Sequence, residues 1–159
     1  MAKYNVDAID QKILMHLIEN ARMPFLEIAR ECGISGAAIH QRVKKLEDAG
    51  IITGSRLEID PKALGNDVHA FVGIQISQTN IYKDVINSLK NIPEIVECHF
   101  ITGKYSLFIK LYCRDNQHLM HVIINLIQKI PGITQTETFL SLEEVFERQV
   151  NVLVDKETK

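Results

Sequence analysis

An α+β chain in two parts, three short helices followed by a β-α-β-β-α-β unit, is what the order of apolar periods predicts. Three observations carry this. Over residues 1–60 apolar side chains recur every three or four positions, the helical period. Over residues 67–145 stretches that alternate by two appear, separated by two further helical stripes. An internal repeat then links the halves of the second part: Asn87, Ile92, Pro93 and Ile95 recur 38 residues on as Asn125, Ile130, Pro131 and Ile133. A repeated β-α-β half is the trace of a ferredoxin-like split fold, with both helices on one face of a four-stranded antiparallel sheet.

Each element has a local cause. Asp7 can cap a first helix, and Asp10 adds a second carboxylate in its positive first turn. Ile9, Ile13, Leu14, Leu17 and Ile18 form its stripe. Pro24 suits the first position of a second helix, whose short stripe is Phe25, Ile28, Ala29 and Cys32 and which Gly33 stops. Ser35 is a strong N-cap for a third helix with Ile39, Val43 and Leu46 inward and Gly50 at its end. Ile51–Thr53 and Arg56–Ile59, joined through Gly54, are expected to pair as a small hairpin, the wing of a winged helix-turn-helix. Residues 61–66 are a turn-rich linker. Val68, Ala70, Val72, Ile74 and Ile76 make one strand face; Tyr82, Val85, Ile86 and Leu89 are helical. Ile95–Ile101 and Tyr105–Tyr112 are strands. Leu119, Val122, Ile123, Leu126, Ile127 and Ile130 form a helix stripe, and Ile133–Leu142 is the last strand. Residues 146–159 are an extension, ending in a charged, frayed tail at Asp155–Lys159.

Composition narrows the function. The chain has 159 residues, 46% apolar and 24% charged, ordinary for a soluble globular protein. Lys and Arg number 18 against 20 Asp and Glu, a net charge of −2, so any nucleic-acid surface must be local. No apolar run reaches the roughly 18–20 residues of a membrane helix. The start, Met1-Ala2-Lys3-Tyr4-Asn5, is not followed by the apolar stretch of a secretory signal. Cys32, Cys98 and Cys113 show neither metal nor disulfide spacing and read as reduced thiols of a cytoplasmic protein. His16, His118 and His121 lack partners at metal spacing and read as surface or rim residues. No cofactor, metal or membrane partner is expected.

Two helices joined by a tight glycine turn, the second opening at Ser35, make a helix-turn-helix, whose second helix enters the major groove by its N-terminal end. Its outward positions are Gly36, Ala37, His40, Gln41, Lys44 and Lys45. Gly36 and Ala37 allow close approach to base edges, and Gln41 and His40 can read them. Arg42, Lys44 and Lys45 give residues 35–46 three positive charges and no acid, and Arg56 on the hairpin could touch the backbone. Double-stranded DNA is the expected partner. In the second part, Phe71, Phe108 and Tyr112 fall on the strand face opposite the aliphatic rows. The fold supplies helices for one face only, so a second subunit is expected to cover these aromatics.

Several segments carry a family resemblance: Asp10-x-x-Ile13-Leu14, Glu27-Ile28-Ala29, Val43-Lys44-Lys45-Leu46-Glu47-x-x-Gly50-Ile51-Ile52 and Thr102-Gly103-Lys104-Tyr105-Ser106. With the order of elements, they resemble the Lrp/AsnC feast/famine transcription regulators over residues 4–145. Thr102-Gly103-x-Tyr105-Ser106-x-Phe108-Ile109-Lys110 and Thr136-Glu137-Thr138 look most like the asparagine-responsive AsnC branch. The resemblance implies a homo-oligomeric, sequence-specific regulator, not an enzyme. It implies dimers through the C-terminal sheets, octamers of those dimers, and a small amino acid bound between dimers.

The same turn has a chemical rationale as an amino-acid site. Gly103 can expose backbone N–H groups to a carboxylate. Ser106 Oγ and Glu137 are candidate acceptors for the ammonium, and Gln128 can both donate to and accept from a side-chain amide. Thr102, Lys104, Tyr105, Thr136 and Thr138 complete the expected set. The family more often carries Asp in place of Ser106; without that fixed charge, a neutral amino acid such as asparagine is favoured over a basic one. Two other classes compete with this reading. One is a ferredoxin-like dimeric enzyme, for which the His99–Glu97 pair is the nearest thing to a catalytic constellation. The other is a sensing module that acts on a protein partner through its helices.

Overall fold

The computed structural model describes residues 4–152, apart from the Thr79 side chain. The tail Asp155–Lys159 and the start Met1-Ala2-Lys3 lie outside the described residues. The chain groups into two compact units divided at Glu58/Ile59 and Val145/Phe146, residues 146–152 grouping with the helical unit.

The helical unit contains α1 (Ala8–Glu19), α2 (Phe25–Cys32) and α3 (Gly36–Asp48). α1 opens with a full capping box: Asp7 accepts from the amides of Ile9 and Asp10, and the Asp7 amide donates to the Asp10 carboxylate at 3.2 Å. Pro24 sits one position earlier than expected, as the extended N-cap of α2, so it starts the helix by its fixed φ without capping it. Gly33 and Gly50 both adopt left-handed φ, +67° and +71°. At Gly50 the chain closes α3 by two bonds, from the Ile51 amide to Leu46 and from the Gly50 amide to Glu47, each 2.9 Å. Ile52 is thereby folded back onto the core of Ile13, Ile28, Ala29, Ile39 and Val43.

The expected hairpin does not form. Residues 52–60 are irregular chain without a strand ladder, and Arg56, Leu57 and Ile59 are exposed. Runs of three and four residues offer too few cross-strand pairs to hold an isolated ribbon in water. Beyond them lies a short 3-10 turn, Lys62–Leu64.

The second unit is the expected split β-α-β. Its elements are β1 (Val68–Ile76), α4 (Tyr82–Leu89), β2 (Ile95–Phe100), β3 (Leu107–Cys113), α5 (Asn116–His121) and β4 (Ile133–Leu140). The sheet order is β2-β3-β1-β4, every neighbouring pair antiparallel. Ala70, Val72 and Ile74 of β1 and Leu107, Ile109 and Leu111 of β3 are fully buried against Val85, Leu89, Val122 and Ile127. Each such aliphatic side chain contributes roughly 1.5–3 kcal/mol of burial.

α5 departs from the expectation. After His121 it continues as a π-helical stretch, Val122–Ile127, whose wider turn is visible in the bond from the Gln128 amide to Ile123 O, 2.9 Å. Leu119, Val122, Ile123, Ile127 and Ile130 of the expected stripe are buried, while Leu126 is 36% exposed.

Candidate nucleic-acid interface and effector site

α3 presents the residues expected of a DNA-reading helix. Ser35 Oγ accepts from the Ala38 amide at 3.2 Å and fixes where the helix begins. Ala37, His40, Gln41, Lys44 and Lys45 are exposed, while Ile39, Val43 and Leu46 hold the opposite face in the core. The space beside Gly36 is open. Phe25, the first residue of α2, meets the His40 ring edge-on at 4.6 Å and so restrains its orientation. The two rings, with Gln41, Val43, Lys44, Glu47 and Asp48, line a shallow groove of about 410 Å³. Phe25 escaped the sequence reading because its apolar spacing assigned it wholly to the core.

Arg42 corrects the expected interface. Its Nη1 donates to Asp7 Oδ2 at 2.7 Å and to Asp10 Oδ1 at 2.8 Å. It is therefore an internal ion pair between α3 and the start of α1 and not a free cation. The basic side chains left on the outer face of α3 are Lys44 and Lys45, and Arg56 stands on irregular chain instead of a hairpin. The Asp10 amide, with the Arg42 guanidinium and the Ile9 amide, holds the Asp7 carboxyl below its usual range.

In the second unit the candidate effector residues divide between the two faces of the sheet. Opposite pairs share a face, so Glu137, facing Gly73, lies on the face away from the helices. There its Oε2 accepts from both the Lys104 ammonium and the Tyr105 hydroxyl. Hydrogen bonds from Lys104 and then Tyr105 hold the Glu137 carboxyl below its ordinary value, and Glu137 in turn raises the Lys104 ammonium. Thr136 and Thr138 face Ile74 and Val72 and belong to the helix side, where Gln128 Nε2 donates to Thr136 Oγ1 at 2.8 Å. One chain thus gathers Lys104, Tyr105 and Glu137 in one place and Gln128 with Thr136 in another. The turn itself is anchored on β1: the Ser106 amide donates to Ile74 O at 2.9 Å, and Gln75 Nε2 to Lys104 O at 3.1 Å. Thr102 and Gly103, whose φ is +118°, form its exposed tip.

Gly73 was not anticipated. A Cβ there would lie 2.6 Å from the Tyr105 ring, so only glycine lets that ring lie against the strand. A single glycine in a strand carries this signal weakly, because it marks equally a bulge or a bend.

The same face bears the aromatics. Phe71 stacks on Phe108 at 5.8 Å, Phe108 meets Phe139 at 6.2 Å, and Tyr112 stacks on His69 at 4.6 Å. Phe139, 41% exposed, completes a row that alternation along β4 could have revealed. His69 Nε2 is buried without a hydrogen-bond partner. Burial, then the nearby Lys110, pushes the His69 imidazolium pKa down. Elsewhere, His118 is less of a rim residue than expected: its Nε2 meets Glu94 Oε1 at 3.0 Å and its side chain is 14% exposed. Glu97 and His99 are an exposed pair at 3.4 Å. Among the described residues no group of three or more His, Cys, Asp or Glu could hold a metal ion. Nor is any helix there long and apolar enough to cross a membrane.

Comparison with known proteins gives these two units names. Residues 6–53 match a winged helix-turn-helix DNA-binding model, and residues 69–150 match the Lrp/AsnC ligand binding domain. The chain is 41% identical over 150 residues to the regulatory protein AsnC of Escherichia coli, covering 94% of this chain and 99% of that one. A structure of Escherichia coli AsnC superposes with a TM-score of 0.88 over 93% of this chain and 99% of that one. A transcriptional regulator of Neisseria meningitidis in complex with L-methionine, 24% identical, shares the fold with a TM-score of 0.86 over 91% of this chain and 94% of its own. Its relatives are regulatory proteins and not enzymes, and the chain belongs to the Lrp/AsnC family: a transcription regulator with a helix-turn-helix DNA-binding domain and a ligand-binding domain.

Proposed function

We propose that this regulator responds to a small neutral amino acid, asparagine first, through the Thr102–Ser106 turn, and that it acts in the cytoplasm as a homo-oligomer of dimers. The observation that carries the reading is Glu137. It is a carboxylate already engaged by an ammonium and a hydroxyl, beside an exposed glycine turn whose amides suit a carboxylate. Both bonds fall on Oε2, leaving Oε1 to accept from the ammonium of a ligand. Asparagine is favoured by the similarity to AsnC and by Ser106, a neutral group where extra positive charge would find no counter-ion. Gln128 and Thr136, on the helix side, would reach a ligand only where a second subunit completes the site.

DNA is read by α3. His40 and Gln41 meet base edges, Ser35, Gly36 and Ala37 allow the approach, and Lys44, Lys45 and Arg56 meet phosphates. Two sheets meeting through Phe71, Phe108, Tyr112 and Phe139 form the dimer, and dimers assemble to an octamer. A ligand seated between dimers shifts the population toward the arrangement it prefers, which changes how many α3 helices face one duplex. Calorimetry with asparagine, glutamine, leucine and lysine tests the ligand. A mobility shift on the DNA upstream of the protein's own gene, with and without asparagine, tests the coupling. No heat with any of the four would remove the site; DNA binding that ignores a bound ligand would remove the coupling.

A further inference from the structure

We infer that Arg42 is a positioning residue of the DNA-reading helix: by bridging Asp7 and Asp10 it fixes how α3 is rotated and where it lies along α1. The inference rests on α3 being the helix that reads DNA. Its buried contacts with the rest of the unit are apolar, through Ile39, Val43 and Leu46, and the edge-on Phe25–His40 contact lies on its outer side. Apolar contacts carry little directional preference. A roll of about 20° would swing a side-chain end, about 5 Å from the axis, by nearly 2 Å. Hydrogen bonds to base edges tolerate only a few tenths of an ångström. Such a helix needs a directional anchor on its flank, and Arg42, between outward Gln41 and inward Val43, supplies one.

The anchor is built, not incidental. Asp10 is 1% exposed. Its Oδ2 accepts from the Asp7 amide and from the Tyr4 hydroxyl, both at 3.2 Å, and its Oδ1 from Arg42 at 2.8 Å. A buried carboxylate stripped of its cation is strongly destabilising, so α3 cannot turn away from α1 without a penalty. The electrostatics also argue against a phosphate contact. Two carboxylates on one guanidinium leave the cluster net negative, which repels a DNA backbone.

The test uses the full chain and a duplex enriched by the wild-type protein from a random pool, beside an unrelated duplex, over a series of salt concentrations. Asp7→Asn keeps an equally good N-cap and removes only a partner of Arg42 at an exposed position, so the fold is spared. Asp10→Asn removes the charge of its buried leg, and Arg42→Met removes the bridge itself. The positioning role predicts that all three lower the preference for the enriched duplex, by about tenfold for Arg42→Met, the equivalent of one lost base contact. The salt slope on both duplexes should stay as in the wild type, because no phosphate contact is lost. A slope reduced by about one in Arg42→Met would make Arg42 a phosphate contact and overturn the inference. So would an unchanged preference in every variant. Lys44→Ala serves as the control: if it leaves both duplexes unaffected, the fault lies with α3 as the DNA-reading helix and not with the anchor.

Discussion

At the scale of residues, most of the chemistry rests on side chains whose partners are far away in sequence. Gln41 is exposed on α3, so Gln41→Ala should cost about 1–3 kcal/mol of discrimination at one base position if it reads an adenine with both ends of its amide. Lys44→Ala should instead weaken all sequences alike and flatten the salt slope; competition binding on two duplexes separates these outcomes. In the proposed effector turn, Gly103→Val should abolish the proposed asparagine response and spare DNA binding, because φ of +118° strains any β-branched residue. Ser106→Asp should move the preference toward a ligand with extra positive charge. Equal calorimetric binding by wild type and both variants would place the site elsewhere. His69 sets a pH dependence. Its folded pKa lies below the unfolded value, so the unfolded chain binds the extra proton first as pH falls below about 6.5. Stability should therefore decline from that pH down to the folded pKa, and denaturant melts of His69→Phe should show a flatter decline.

At the scale of elements, the caps were legible and the register was not. Asp7, Gly33, Ser35 and Gly50 act through groups within a few positions of themselves, and each stands where local chemistry places it. Ser35→Ala should cost about 1 kcal/mol and fray the N-terminal end of α3, the end proposed to enter the groove, which thermal melts and mobility shifts can follow together. The hairpin at residues 51–59 failed for the opposite reason: alternation marks a strand, and a strand needs a partner the local sequence does not supply. The π-helical stretch Val122–Ile127 also lay beyond the apolar period. Residues 119 to 130 fit an α stripe well enough, and of that stripe Leu126 is exposed within the π-helical stretch.

At the scale of the whole molecule, the proposed assembly rests on one face of the sheet. Phe71, Phe108, Tyr112 and Phe139 form an aromatic surface on the side of the sheet opposite its helices. An apolar patch of this kind is a poor surface for a monomer. Phe108→Lys should shift sedimentation from oligomer toward monomer, since each charge would be desolvated at the interface. A ligand that couples to assembly should then lose its influence on DNA binding in the same variant. An oligomer unchanged by Phe108→Lys would show that a different surface holds the subunits together.

The sequence by itself determined the class of fold, the helix boundaries around the Gly33 turn, the β-α-β-β-α-β order and the Lrp/AsnC resemblance. All of these follow from local periods, caps and short motifs. Only the tertiary structure decided what Arg42 does, since its charge reads as a DNA contact until Asp7 and Asp10 are brought beside it from 35 and 32 positions away. It alone likewise set Tyr105 over Gly73, tied Lys104 and Tyr105 to Glu137, and divided Thr136 from Glu137 across the sheet. The physical reason is the same in each case. A charge or a ring records in the sequence what it can do, while its partner is chosen by the packing of elements that meet only when the chain is folded.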